Sequence, residues 1–400
     1  MDEQAGSEAV CGPKSDVKGW LGDVRSKPHV NAWLVYLVGP LAFTGVQLIA
    51  PTLPLMQADL GLSNSQLALV SSVYLLPAAV FALPAGFPAD RWGRRLVLGF
   101  SLLVFGICGV LYSAVTASFP ASLAVRLVQG LAFAAILPLT ITILGDSYRG
   151  AELVRAQGFR TVSLGIGEAA WPIIGGILAS IAWEIAWVVQ SLAIPVGLIV
   201  LVLMTDVPLS ASKQVGGVGR DLVVLLRSPF IAALQWVGVQ RMFVKFALLA
   251  FLPVYLVGTR GFSPESAGLV IGLAAATGVV VATFASRITR RGSLPVWIGA
   301  SMPVVAATLV VSVTATEPWV ILVFAVLHGA ADGITGILSN SLVAVACTGD
   351  LRATFVAATG ALRNLAKFLA LGVLAGAGSG DAAWLSPLEK KLSEPSPRRS

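Results

Sequence analysis

Long apolar stretches alternate with short polar connections along almost all of this 400-residue chain. An α-helix needs about 20 apolar residues to cross the hydrocarbon core of a bilayer. The pattern therefore predicts an all-α polytopic membrane protein. Its eleven spans, numbered 1 to 11, are expected at residues 33–56, 66–87, 96–116, 122–144, 158–182, 184–204, 232–257, 267–286, 294–315, 319–346 and 353–377.

Composition agrees with a chain that is solvated by lipid. Hydrophobic residues make up 56% of the chain and charged residues 12%, and the mean hydropathy is +0.85. A soluble domain carries about 25% charged residues. The net charge of +7 is typical of the basic cytoplasmic loops of membrane proteins, so we expect the lipid bilayer as a partner and no nucleic acid.

The distribution of Lys and Arg predicts the orientation. The polar tail 1–32 and every second connection after it are basic, whereas the opposite connections contain only Arg260. Basic loops stay in the cytoplasm. We therefore expect a multi-pass protein of the cell (inner) membrane with a cytoplasmic amino terminus, and no cleavable signal peptide, because the tail has no apolar core.

The two halves of the chain repeat each other. Gly61-Leu62-Ser63 returns 200 residues later as Gly261-Phe262-Ser263, and each serine is placed to cap the helix that follows it. Duplication of a six-helix unit is typical of transporters. We expect the units and their connections at 1–32 (cytoplasmic tail), 33–204 (first six-helix bundle), 205–231 (cytoplasmic linker), 232–377 (second bundle) and 378–400 (polar tail).

The second bundle is predicted to have five helices, because the segment after span 11 is charged and rich in proline. The twelfth helix of a duplicated architecture is therefore missing from the prediction. Two explanations stay open. Either span 12 has been lost, or span 11 does not cross and the tail 378–400 stays in the cytoplasm.

The connection between spans 2 and 3 has a dense pattern of glycine and charge. It resembles the signature of the major facilitator superfamily, G-x-x-x-D-R-x-G-R-R, at every fixed position: Gly86, Asp90, Arg91, Gly93, Arg94 and Arg95. In that family the aspartate meets the cytoplasmic start of span 11 and clamps the outward-open state. The resemblance thus implies a conformational clamp; a topology anchor alone is the alternative.

Span 4 contains a second segment similar to the same superfamily. Arg126-Leu127-Val128-Gln129-Gly130 is similar to its R-x-x-Q-G segment, whose arginine is tied to proton coupling. The alternative is that Arg126 snorkels to the outer interface.

Span 5 resembles the antiporter motif of that superfamily. The matching residues are Gly158, Gly167, Pro172, Gly175 and Gly176. Small residues allow close helix packing in lipid. Trp171 stands where the family has glycine, which puts a strict antiport mechanism in doubt.

Ionisable residues inside the spans indicate an interior site, because each charge facing lipid costs roughly 2.5–3.5 kcal/mol at the bilayer centre. We predict that a substrate cavity is lined by Arg241, Lys245, Arg363, Lys367 and Gln47. Ion pairs could neutralise two of the intramembrane cations. The remaining cations predict an electropositive cavity when Glu168 is protonated, suited to an anionic or amphiphilic solute.

Two clearly intramembrane acids are candidates for proton coupling. Glu168 is the first choice, since it shares span 5 with the antiporter-like glycines. Asp332 is the second, with His328 one helical turn away as its expected partner.

Enzyme classes are excluded by missing motifs. The sequence contains no phosphate-binding loop, zinc-protease motif or nucleophile elbow, so we expect no enzyme, cofactor or metal. The resemblance implies a secondary active transporter, most similar to the drug-proton antiporter branch, that exports a small organic or drug-like solute against inward proton flow. We expect a monomer. Two alternatives stay open: an organic-anion symporter or uniporter, and a non-transporting sensor or degenerate transporter.

Overall fold

The computed structural model of this protein describes residues 28–81, 89, 91–206, 229–288, 294–315, 317–346 and 359–371. These residues form helices and short connections and include no strand, which confirms the predicted all-α fold. Eight helices in this part of the chain are long and apolar enough to cross a membrane, judged by length and composition.

The described spans agree with the predicted ones to within a few residues at most ends, and span 5 begins eight residues earlier than expected. The continuous helices are span 3 (Arg94–Ala114), span 4 (Phe119–Ser147), span 5 (Gly150–Ile181), span 7 (Pro229–Gly258), span 8 (Pro264–Ile288), span 9 (Leu294–Thr314) and span 10 (Pro318–Ala346). Residues 359–371 are the described part of span 11. Most of the predicted linker and any twelfth span or polar tail lie outside the described residues, so the predicted unit boundaries stay predictions.

Among the described residues, three spans are interrupted. Span 1 consists of Pro28–Leu41, a π-helical turn at Thr44–Leu48, a 3₁₀ turn at Ala50–Thr52 and the helix Leu53–Leu60. Span 2 consists of Asn64–Val73 and Leu76–Val80. Span 6 consists of Trp183–Val189, a 3₁₀ turn at Gln190–Leu192 and the helix Ala193–Leu203. In span 1, Pro40, Pro51 and Pro54 cannot donate to the helical ladder. The buried hydroxyls of Thr44 and Thr52 donate to the carbonyls of Leu41 and Ile49, three residues earlier.

The repeated Gly-x-Ser connections have the same structure in both halves. Gly61 and Gly261 adopt φ values of 60° and 70°, a left-handed conformation that glycine reaches without strain. The hydroxyl of Ser63 accepts a hydrogen bond from the Gln66 amide at 3.2 Å, and Ser263 accepts one from Ser266 at 3.3 Å. Both predicted caps are therefore confirmed.

Spans 1 and 5 run in parallel with a fixed register. The Ser163 hydroxyl donates to the carbonyl of Tyr36, Gly167 packs on Pro40, and Gly175 packs on Leu48; each pair is separated by 127 residues. A Cβ at Gly175 would overlap the Leu48 carbonyl oxygen. Glycine at this position is what lets the two helices approach so closely.

Span 5 also contacts span 8, which belongs to the second half of the chain. A Cβ at Gly176 would lie 2.6 Å from the Pro264 carbonyl oxygen, and one at Gly272 would lie 2.8 Å from that of Ala169. Through the antiporter-like residues, span 5 thus packs on span 1 of its own half and on span 8 of the other half. Gly158 differs, since no atom of the described residues lies within 4 Å of a Cβ built there.

Candidate functional site

A cavity of about 810 Å³ lies between the two halves of the molecule. Spans 1 and 5 line one side, and spans 7 to 10 line the other. It reaches Arg155 of span 5 and Thr283 of span 8, at the end predicted to face the cytoplasm. Toward the opposite end the halves are in contact, because Val254 of span 7 packs against a cluster that contains Leu53 of span 1.

A network of four charged side chains forms part of the cavity wall. The Nζ of Lys245 lies 3.1 Å from Oε2 of Glu168 and 3.3 Å from Oδ2 of Asp332. Arg241 donates to the same Asp332 carboxylate, with Nη2 2.8 Å from Oδ2 and Nε 2.6 Å from Oδ1. The network connects span 5 to spans 7 and 10, so Lys245 joins the two halves through its contact with Glu168.

The two carboxylates differ in their surroundings. The Asp332 side chain is 11% exposed and is held by two cations, whereas Glu168 is 24% exposed and contacts only Lys245 among the cations of the described network. With both acids ionised, they balance Arg241 and Lys245. Protonation of Glu168 would leave one positive charge in excess in this network.

The predicted cavity residues divide into two groups. Gln47, Arg241 and Lys245 line the cavity, together with Glu168, Asp332 and His328. Arg363 and Lys367 are not among its lining residues, which corrects the expectation for these two.

The two basic residues of span 11 face neighbouring helices instead of the cavity. The Lys367 ammonium lies 5.1 Å from the centre of the Phe246 ring and donates to Asn364 at 3.1 Å. The Arg363 guanidinium lies against Gly238 of span 7, where a Cβ would be 3.1 Å from its Nε. Residues four positions apart lie on one face of a helix, and the packing of span 11 directs this face toward span 7.

His328 is not the ion-pair partner that the sequence suggested for Asp332. Its Nδ1 lies 3.0 Å from the hydroxyl of Thr308 in span 9, whereas Asp332 pairs with the two cations of span 7. The i, i+4 spacing placed both side chains on one face but did not reveal which other span faces them.

Arg126 lies in a separate polar cluster inside the first half. It is 2% exposed and donates to the carbonyls of Val70 and Gly45, each at 3.1 Å, and to Oε1 of Gln129 at 2.8 Å. Its guanidinium also lies 4.4 Å from the centre of the Tyr74 ring. Because it is buried and bonded in this way, snorkelling to the interface is ruled out. Arg126 is also not among the residues that line the cavity with Glu168.

The second part of the signature loop anchors the start of span 3. Arg94 forms an ion pair with Asp146 at the end of span 4. The backbone N–H of Arg95 donates to Oδ1 of Asp206, beyond the end of span 6, at 2.9 Å. The sequence analysis missed both acids, although each stands at a basic, predicted cytoplasmic end where an anion can meet a helix amino terminus.

The predicted clamp joins Asp90, in the first part of the signature loop, to the start of span 11. Gly86, Asp90 and the start of span 11 all lie outside the described residues. Arg91 is described and exposed. The clamp between Asp90 and span 11 therefore stays a prediction.

Trp171 fits into the antiporter-like segment by making a new contact. Its indole N–H donates to the carbonyl of Pro40 at 2.8 Å, at the point where span 1 is interrupted. The ring is partly buried against the main apolar core. The departure from the family pattern thus adds a link between spans 1 and 5.

Two curated bacterial proteins are similar to part of this chain. The bacillibactin exporter of Bacillus subtilis (strain 168) is 28% identical over 151 residues, which is 36% of this chain and 38% of that protein. The quinolone resistance protein NorA of Staphylococcus aureus is 22% identical over 142 residues, 36% of each chain. The matched region therefore spans less than two fifths of these relatives.

Solved transporter structures share the fold over nearly the whole chain. A bacterial homologue of the human lysosomal transporter Spinster, inward-facing and unoccupied, has a TM-score of 0.72 at 18% identity, covering 91% of this chain and 85% of that one. The inward-open xylose transporter XylE from E. coli has a TM-score of 0.68 at 14% identity, covering 91% and 94%.

The family assignment rests on a match over most of the sequence. The model of the Major Facilitator Superfamily matches residues 35–371, which confirms the resemblance seen in the loop after span 2 and the predicted fold class. The chain therefore belongs to the Major Facilitator Superfamily.

Proposed function

We propose that this protein is a proton-coupled secondary transporter that exports a small organic or drug-like solute across the cell membrane by alternating access. The observation that carries this proposal is the Lys245 ammonium, 3.1 Å from Glu168 of the first half and 3.3 Å from Asp332 of the second, in the wall of a cavity between the halves.

The ion pair supplies a physical route from protonation to movement. A proton on Glu168 removes the charge that attracts Lys245, while Asp332 still holds the ammonium on the side of the second half. The attraction between spans 5 and 7 then weakens. Binding of a proton shifts the equilibrium between two conformations only if the binding free energy differs between them. Loss of the contact between Glu168 and Lys245 provides such a difference, because only a conformation that makes this contact is destabilised by protonation.

The character of the cavity supports an organic solute. Its volume of about 810 Å³ lies within the range of about 300–1,000 Å³ that is usual for small-molecule sites. Apolar and aromatic side chains such as Phe43, Phe159, Met242 and Phe324 form much of the wall. Such a surface suits an amphiphile better than a small polar ion.

The direction of transport is inferred from the relatives and from the predicted topology. Both bacterial relatives have names that describe export or drug resistance. The cavity reaches the end of the molecule with Arg155, which the charge distribution assigns to the cytoplasm. An exporter must load its solute from that side.

The second candidate is an organic-anion symporter or uniporter, favoured by Arg155 at the mouth of the cavity. The balance of Arg241 and Lys245 by Asp332 and Glu168 argues against it, since these two cations already have carboxylate partners. A non-transporting sensor would have the same cavity but would move no solute.

Transport by reconstituted protein tests these functions directly. Proteoliposomes with an imposed proton gradient and a trapped pH dye would be presented with cationic, neutral and anionic amphiphiles. Export predicts that a solute accumulates on the acidic side while protons leave that side. Accumulation of anions together with protons would favour the symporter, and no movement of any solute in either direction would favour the sensor.

A further inference from the structure

The imidazole of His328 lies in the wall of the cavity with one ring nitrogen already engaged. The residue is 9% exposed, and its Nδ1 lies 3.0 Å from Oγ1 of Thr308 in span 9. Its Nε2 forms no hydrogen bond with the described residues, yet it is not one of their polar atoms that are buried without a partner. This nitrogen is therefore accessible from the cavity.

The hydroxyl of Thr308 determines which nitrogen of the ring carries the proton. A hydroxyl has one hydrogen to donate, and that of Thr308 goes to the carbonyl of Val305, 2.7 Å away. The Thr308 oxygen then accepts from His328, so Nδ1 is the protonated nitrogen of the neutral ring. Nε2 keeps its lone pair and acts as a hydrogen-bond acceptor at the cavity surface.

Packing around span 10 keeps the ring in place. The hydroxyls of Ser301 and Thr335 lie 2.6 Å apart and join spans 9 and 10 a second time, away from solvent. On the side of span 8, a Cβ at Gly329 would overlap the carbonyl oxygen of Ala274. Span 10 is thus held from both sides next to His328, which fixes the position of its Nε2.

His328 lies deeper in the cavity than the charged network. It precedes Asp332 by four residues, which corresponds to about 6 Å along the helix axis. Ile321, further back along the same span, packs in one cluster with Leu256 of span 7, at the end where the two halves are in contact. Phe324 and Ile321 line the cavity there. The acceptor therefore stands between the charged network and an apolar inner end.

We propose that Nε2 of His328 accepts a hydrogen bond from an N–H or O–H of the solute and so selects among solutes of equal charge. The preferred solute carries this donor in its apolar part, about one helical turn from the group that lies beside Glu168 and Asp332. A solute without the donor displaces water from Nε2 and leaves the nitrogen unpaired, which lowers its affinity. This inference rests on the proposed transport function and adds a substrate class to it.

Two amphiphiles that differ in one donor isolate this hydrogen bond. Dextrorphan is a rigid cationic amphiphile with a phenol O–H, and dextromethorphan is its methyl ether, with the same charge and ring system but without the donor. Binding of each tritiated probe to purified full-length protein would be measured by equilibrium dialysis at pH 8, where an ordinary imidazole is neutral. We expect the wild-type protein to bind dextrorphan about tenfold more tightly than the ether.

Three substitutions at His328 identify the source of that preference. His328→Leu removes the acceptor, so the ratio of the two dissociation constants should fall to about 1. His328→Gln can bring its amide oxygen near the position of Nε2 and should keep part of the preference. His328→Asn carries the same amide on a shorter side chain and should lose it. Since each ratio is measured within one preparation, partial unfolding of a variant does not affect it.

A matched pair of variants tests Thr308 as the residue that positions the ring. Thr308→Ser keeps the hydroxyl that meets Nδ1 and should retain the ratio. Thr308→Val keeps the shape without the hydroxyl, allows either tautomer, and should reduce the ratio. Thr277→Val is the control, because the Thr277 hydroxyl also donates within its own helix, to the carbonyl of Leu273, but the residue is not part of the cavity lining.

The possible outcomes separate this inference from the function on which it rests. Equal affinity of the wild-type protein for both probes, or an unchanged preference in His328→Leu, would overturn the role of His328 while leaving transport intact. Failure to bind either probe, in protein that transports other solutes in proteoliposomes, would also overturn the inference alone. Absence of all transport in that assay would overturn both.

Discussion

Glu168 and Lys245 form an ion pair between the two halves of the molecule, with Nζ of Lys245 3.1 Å from Oε2 and 3.3 Å from Oε1 of Glu168. Asp332 contacts the same ammonium at 3.3 Å. The Lys245 ammonium thus contacts one carboxylate from each half. Neutralisation of Glu168 would weaken the contact of Lys245 with the first half and leave its contact with Asp332 in its own half.

Replacement of Glu168 by Gln should abolish proton-driven accumulation of solute. Glutamine keeps the shape and hydrogen-bonding capacity of the side chain but fixes the neutral state, so solute binding and downhill exchange are expected to remain. Uptake into proteoliposomes with and without a pH gradient measures the difference. Glu152→Gln is the matched control, since Glu152 is exposed near the start of the same span. Full gradient-driven transport in Glu168→Gln would remove this residue from the proton pathway.

Replacement of Asp332 by Asn should affect stability more than coupling. It leaves Arg241 and Lys245 close together in the interior, and removal of one partner of a buried ion pair typically costs about 3–5 kcal/mol. The thermal unfolding midpoint in detergent should therefore fall further than for Glu168→Gln, while pH-driven transport per folded molecule falls less. Addition of Arg241→Met should restore part of the stability, because it removes a cation that has lost its carboxylate. A double variant no more stable than Asp332→Asn would contradict this explanation.

Replacement of Gly175 by Ala should destabilise the contact between spans 1 and 5. The added methyl group would overlap the carbonyl oxygen of Leu48, and overpacking of a well-packed interior typically costs about 1–3 kcal/mol. Gly158→Ala makes the same chemical change on the same span where the described residues leave open space, so it should have little effect. Unfolding midpoints of the two variants provide the comparison. Equal midpoints would show that close packing at Gly175 is not required.

Single cysteines test the predicted orientation. Cysteines at Ser212 and Arg291 should react with a membrane-impermeant reagent only from the cytoplasm, and one at Glu317 only from outside, because basic connections remain inside. A cysteine at Ser396 would locate the carboxy tail, for which two positions stay open. Labelling of Ser212 and Glu317 positions from one side would show that the number of spans between them is wrong.

The sequence determined those features that depend on neighbouring residues and on the solvent. In lipid a span must satisfy its backbone hydrogen bonds within itself, so a run of apolar residues is sufficient to predict a helix. The caps at Ser63 and Ser263 follow from residues three positions apart. The loop from Gly86 to Arg95 was sufficient to recognise the family, because the pattern is local and contiguous.

Only the tertiary structure decided which side chains meet. Helical spacing placed Arg241 and Lys245 on one face and did the same for Arg363 and Lys367, but only the first pair lines the cavity. Glu168 and Lys245 are 77 residues apart and lie on different helices. The periodicity of one helix does not reveal how a second helix is rotated or shifted along its axis relative to the first. These depend on contacts such as Gly167 on Pro40 and Trp171 on the Pro40 carbonyl, which exist only once the helices have packed.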